Sequence, residues 1–169
     1  MGNFYVNIAV RSDDRDALLN AIPLTQDPGV IGPAENGWTV LSSAALDTQD
    51  DTVVTEYGTA LSNALKTDVL GALNHDDDFL MLWLFRDGHE VSFFNSDPGT
   101  LRGVDGFAGL MNGDAPETQA LLLKPSVFAV DHHHEIATAF GLPDYTAGFG
   151  FRYAERGEFP HLDLLKYGH

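Results

Sequence analysis

Seven consecutive apolar residues, Phe79-Leu80-Met81-Leu82-Trp83-Leu84-Phe85, stand between His75-Asp76-Asp77-Asp78 and Arg86-Asp87-Gly88-His89. The run is too short for a core helix and lacks the three-to-four-residue spacing of an amphipathic one. With turn signals on both sides, it reads as a strand buried on both faces at the centre of the fold. Phe4 to Val10, aromatic and β-branched with partial alternation, reads as an opening strand.

Ser12-Asp13-Asp14 supplies a cap and first-turn acids for a short helix with Leu18, Leu19 and Ile22 inward, and Pro23 ends it. Val30-Ile31 and Trp38-Thr39-Val40-Leu41 flank Asn36-Gly37, the pair best suited to a tight hairpin. A second helix is expected from Thr48 to Asp51 up to about Lys66, with Val54, Tyr57, Leu61 and Leu65 on one stripe. Val69 to Leu73, Phe79 to Phe85 and Glu90 to Phe94 form an antiparallel meander.

The order β-α-β-β-α-β-β-β implies an α+β fold: a largely antiparallel sheet, two N-terminal helices on one face, and a helical C-terminal portion covering an edge or the other face. Asn95 to Gly113, rich in Gly and turn formers, is expected to be a mobile loop. Asp114-Ala115-Pro116-Glu117 is a helix start, and Pro125 stops that helix. Periodicity leaves 127–130 open between a strand and a helical turn. Ile136 to Phe140 is helical and stops at Gly141-Leu142-Pro143, and Phe149, Phe151 and Tyr153 alternate like a final strand. No repeat or linker divides the chain, so residues 1–169 are read as one domain.

A two-residue Asp87-Gly88 turn would set the register of the central hairpin. Phe85 then pairs with Glu90, Leu84 with Val91, Leu82 with Phe93, Met81 with Phe94, and Asp78 falls opposite Asp97. On that count the Leu80, Leu82, Leu84 face is the main core, packed on the two N-terminal helices. The Met81, Trp83, Phe85 face is covered only in part.

Charge narrows the function classes. The net charge is −16, with 18 Asp against 7 Glu and only three Lys. Such a field disfavours nucleic-acid phosphates and anionic membranes and favours a basic partner or cations. There is no cysteine, which excludes disulfides and thiolate chemistry and fits a reducing cytoplasm. Met1 to Val6 has neither a basic lead-in nor a long apolar run, so neither signal peptide nor membrane span is read there.

The hairpin register gathers His75, Asp76, Asp77, Asp78 and Asp97 at one end of the sheet. Facing carboxylates repel, which raises one pKa or recruits a cation, so His75, Asp78 and Asp97 are an alternative metal set. Asp-rich turns more often cap their own backbone, and no metal or other cofactor is the first expectation. In Asp131-His132-His133-His134-Glu135, neighbouring side chains on a helix diverge by about 100° and cannot close on one ion. Asp131 is read as the cap, with the histidines exposed on the first turn. No nucleophile elbow, phosphate loop or dinucleotide fingerprint occurs, and no catalytic residue is assigned.

Gly37-Trp38, Gln49-Asp50, Leu61-Ser62, His75-Asp76-x-Asp78, Trp83-Leu84-Phe85-Arg86-Asp87-Gly88 and Ser96-Asp97-Pro98-Gly99 together resemble a family of uncharacterised bacterial proteins with no assigned activity. The likeness spans about the first hundred residues, with a weaker echo at Leu142-Pro143. It implies no mechanism. The functional expectation is a small acidic, non-enzymatic binding module, an inhibitor or immunity-type protein for a basic partner, with Asp76, Asp77, Asp78 and Asp97 at the contact. Two alternatives stand beside it: a metal-dependent hydrolase using the Asp/His turn, and a small-ligand binder with a pocket beside Trp83.

Overall fold

A computed structural model describes residues 2–23 and 26–168. Eight antiparallel strands form one sheet in the order β7-β6-β5-β4-β1-β3-β2-β8. The strands are β1 (Phe4–Val10), β2 (Gly29–Ile31), β3 (Thr39–Ser43), β4 (Val69–His75), β5 (Phe79–Arg86), β6 (His89–Asn95), β7 (Thr100–Arg102) and β8 (Leu165–Tyr167). Six helices pack around the sheet: α1 (Arg15–Ala21), α2 (Asp51–Leu65), α3 (Val104–Leu110), α4 (Ala115–Leu122), α5 (Ala129–Phe140) and α6 (Phe151–Glu155). The α+β class and the antiparallel sheet are those expected.

Local signals set most of the N-terminal half. The Asp14 carboxylate accepts from the Ala17 amide to start α1, and Asp50 accepts from Thr52 to start α2. Asn36 and Gly37 both take positive φ, 57° and 81°, at the tip of the β2–β3 hairpin; Asp87 and Gly88 do so, at 51° and 81°, between β5 and β6. Gly58 lets α2 lie close on the sheet, because a Cβ there would run into the Phe85 ring.

The face assignment of β5 is corrected. Val54, Tyr57 and Leu61 of α2 share a buried cluster with Trp83 and Phe85, together with Leu18 of α1. Leu80, Leu82 and Leu84 instead meet Phe94 and the C-terminal helices, through Phe107, Leu110, Leu122, Ile136 and Phe140. On the Trp83 side, Trp83 and Phe85 are buried while Met81 stays partly exposed, and Trp83 packs against Phe93.

The pairing of β5 with β6 is corrected as well, by a bulge. Phe85 pairs with Glu90 as expected, but Leu84 then faces Ser92, Trp83 faces Phe93 and Leu82 faces Phe94. Val91 is the extra residue and is left exposed. One inserted residue swaps which neighbours share a face.

Four further expectations are corrected. Asn95–Gly113 holds strand β7 and helix α3 instead of a long loop. Residues 127–130 contain the start of α5, whose cap position is Phe128 and not Asp131. Phe151 to Glu155 is helical, so the alternation of Phe149, Phe151 and Tyr153 does not mark a strand: Phe149 and Phe151 join the buried core of the C-terminal side, and the Tyr153 hydroxyl accepts from the Phe4 amide. The last strand is β8, which pairs with β2 and was not foreseen.

Candidate functional site

The β4–β5 turn holds the sequence-predicted cluster. Asp76 and Asp77 both take left-handed backbone, φ 56° and 57°, which Asp tolerates through local side-chain hydrogen bonds. The Asp76 carboxylate accepts from the Gly2 amide at 2.8 Å. Asp77 is tied more heavily. Its Oδ2 accepts from the Asn3 amide (3.1 Å) and the Asn3 side chain (2.8 Å), and its Oδ1 from Asn74 Nδ2 (2.8 Å) and the Val130 amide (3.1 Å). Its backbone carbonyl takes the Ala129 amide at 3.1 Å.

Asp77 therefore caps α5 from a distant part of the chain. Phe128 has no side chain to satisfy the first amides of that helix, and Asp77 accepts two of them. Partial burial works against its charge, but the bonds from Asn74, Asn3 and Val130 outweigh it and hold the carboxyl below the usual carboxylate range.

His75 is also fixed. Gln49 Nε2 donates to the Asn74 carbonyl, which leaves Gln49 Oε1 to accept from His75 Nδ1 at 2.6 Å. The imidazole stacks on Phe79 and meets Phe4 edge-on. Asp78 and Asp97 are exposed, and neither carboxylate takes part in a hydrogen bond or ion pair among the described residues.

The expected Asp78–Asp97 pairing is displaced by the bulge. Met81 faces Asn95, and continuing that count puts Asp78 opposite Pro98. Among the described residues, no three His, Asp or Glu side chains come together as a set able to hold a metal ion.

Beside the turn is a cleft of about 480 Å³ between the β6–β7 connection, the α4–α5 loop and the start of α5. Phe94, Leu122 and Ala129 make its apolar floor, while Asp78, Ser96, Lys124 and Ser126 supply polar walls. His132 also lines it, nearly buried, with its ring edge-on to Phe94. Its Nε2 donates to the Leu121 carbonyl at 3.0 Å, which fixes the ring. Lys124 is drawn to Glu135 at 2.7 Å. Asp97 is not among the lining residues.

The α4–α5 loop, which contributes Leu123 to Ser126 to this cleft, also carries exposed apolar side chains. Four large hydrophobic residues are exposed among those described: Val91 39%, Leu123 41%, Val127 85% and Phe128 54%. Three of the four lie on the α4–α5 loop. A wider groove of about 680 Å³ follows Asp13, Asp14, Arg15, Asp16 and Asp163 at the start of α1. Arg15 is already held there by Asp163 Oδ2 and by the Ile31 and Asp163 carbonyls.

The histidine run does not lie where expected. His132 and His133 are buried and only His134 is exposed, because α5 starts three residues earlier than an Asp131 cap would allow. His133 Nδ1 is 2.7 Å from the Tyr5 hydroxyl, and its ring stacks on Tyr5. Complete burial, and then the neighbouring His132 and His134, pull its pKa down to about 3, so it is neutral at pH 7. Burial likewise pushes Tyr5 above the usual tyrosine range. The missed signal was periodic: Ala129, His132, His133, Ile136, Ala137 and Phe140 form one helical stripe.

Comparison with family models, curated proteins and solved structures found no match to this chain. No helix among the described residues is long and apolar enough to cross a membrane.

Proposed function

We propose that the protein is a non-enzymatic binding module that neutralises a basic partner protein, in the manner of an inhibitor or immunity protein, within the cytoplasm. One observation carries the reading. Among the described residues, three of the four exposed large hydrophobics lie on the α4–α5 loop, where Leu123 lines a cleft that also presents the Asp78 carboxylate, on a chain of net charge −16. An exposed apolar loop beside a cleft with an unpaired carboxylate has the composition of a protein-contact surface, where apolar area gives affinity and charge gives rate and selectivity. Asp97 lies on the adjoining connection and adds to the field, whereas Asp76 and Asp77 act mainly on the chain's own amides.

The test is kinetic. A basic partner recovered at low ionic strength should associate more slowly as salt rises, because steering acts between unpaired surface fields. Asp78→Asn with Asp97→Asn should lower that association rate and flatten its salt dependence. A salt-independent rate would refute the reading. Calorimetric titration with calcium, magnesium, manganese and zinc tests the competing enzyme directly: specific binding lost in the same double variant would replace the binding module with a metal-dependent hydrolase.

A further inference from the structure

We propose that the cleft beside the β4–β5 turn receives one lysine or arginine side chain from an extended segment of the partner, whose flanking apolar residues lie on Leu123, Val127 and Phe128. The inference rests on the basic-partner reading and adds the surface and the residue types that carry it.

The cleft is graded in polarity. Its floor, Phe94, Leu122 and Ala129, is apolar and nearly inaccessible, which suits an alkyl stem. Its wall carries the exposed Asp78 carboxylate, which suits a cationic head. Long basic side chains divide in this way, with the stem on apolar surface and the charge at the edge. Lys124 is the one cation on the wall, and its ammonium is 2.7 Å from Glu135, so that charge is already answered.

Other occupants fit less of the surface. A small molecule seated in the cleft would leave Val127, 85% exposed on the adjoining loop and outside the cleft's lining, in water. A second copy would bring another chain of net charge −16 to an acidic wall, and five of its nine Lys and Arg residues are already in ion pairs. A segment with a cation between apolar residues satisfies floor, wall and adjoining loop together.

Selection from a displayed library of random heptapeptides against the full chain tests this. The enriched peptides should carry one Lys or Arg between apolar residues. A synthetic winner, followed by fluorescence anisotropy, should lose about tenfold or more in affinity when its cation becomes norleucine, and similarly on Asp78→Asn or Val127→Asp. Both substitutions fall on exposed side chains, and unchanged thermal unfolding confirms the fold; Phe128→Asp is the second loop variant.

Two outcomes separate the site from the reading beneath it. Basic peptides that ignore these variants but weaken with Asp13→Asn and Asp16→Asn would leave the basic partner standing and overturn the cleft. Enrichment of no basic peptide would overturn both. A concentration-dependent dimer abolished by Val127→Asp would assign the loop to a second copy and likewise overturn the proposal.

Discussion

On the face covered by α1 and α2, side chains from neighbouring turns of one helix, Val54, Tyr57 and Leu61, meet Trp83 and Phe85 in an apolar layer. On the face covered by α3 to α6 the layer is equally apolar at its centre, but polar side chains of the sheet and of α6 bond to distant backbone. Asn7 Nδ2 donates to the Thr146 and Phe149 carbonyls, the Tyr153 hydroxyl accepts from the Phe4 amide, and Ser42 Oγ accepts from Phe151. Asp77 takes the first amides of α5. The first face is held mainly by area, which any apolar stripe of the right period supplies, with Ser43 bonded to Tyr57 and Ser62 accepting from the Gly88 amide as its directional links. The second is held by area together with directional bonds whose partners are far apart in the chain, and it is the face that carries the cleft.

The largest expected effect tests what the faces share. Leu61→Ala and Leu82→Ala remove one fully buried leucine from each. Each should cost about 2–5 kcal/mol, from lost transfer energy and the cavity left behind. Urea unfolding measures it. A variant as stable as the parent would show that its face is not core.

The next effect distinguishes them, because only the C-terminal face buries a neutral histidine. The pKa of His133 lies at about 3 when folded, against an ordinary 6.5. Between those values the unfolded chain takes up a proton that the folded chain refuses. Stability from this source is therefore complete above about pH 6.5 and declines as pH falls toward 3, by a few kcal/mol in all. His133→Gln, whatever its baseline stability, should flatten that slope. An unchanged slope between pH 6.5 and 4 would place the acid sensitivity elsewhere. Asp77 also loses its charge in acid, but its lowered pKa confines that loss below the ordinary 3.8.

A smaller difference separates two aspartates that sequence distance would rank the other way. Asp131 lies within α5, whereas Asp77 reaches its first turn from 53 residues away. Asp77→Ala should cost about 2 kcal/mol, a helix cap with further hydrogen bonds lost. Asp131→Ala should cost about 0.3–1 kcal/mol, the dipole contribution of an exposed first-turn acid. Thermal unfolding of the two variants decides it, and equal losses would remove Asp77 as the cap.

The same contrast explains what the chain discloses in one dimension. Asp14, Asp50, Asn36-Gly37 and Asp87-Gly88 act on residues within four positions of themselves, and each was legible. The bulge at Val91 was not, because nothing in Glu90-Val91-Ser92 marks an extra residue, and that one residue changed which β6 side chains share a face with which β5 side chains. The start of α5 was hidden because its cap, Asp77, lies in the distant β4–β5 turn. Moving that start to Ala129 turns two of three histidines from surface into core. Of the candidate site, the acidic turn was legible as composition. The cleft was not, since Phe94, Leu122, Lys124 and His132 come together only through the bulge and that helix start.

The smallest stability effect falls on the residues assigned to recognition, and here the comparison is sharpest. Asp78 touches nothing that Asp77 touches, although the two are adjacent: one side chain is exposed on the cleft wall, the other joins Asn3, Asn74 and Val130. Asp78→Asn and Val127→Asp should each leave the unfolding free energy within about 0.5 kcal/mol of the parent, as surface changes away from caps and core do. The two changes remove charge from the wall and add it to the apolar loop, so both should weaken capture of a basic, apolar-flanked peptide while leaving the fold intact. A destabilised Asp78→Asn would mean that this carboxylate works for the turn, as its neighbour does, and would withdraw it from the proposed contact. Unchanged stability with weakened binding would separate the structural half of the Asp76-Asp77-Asp78 turn from the half that faces a partner.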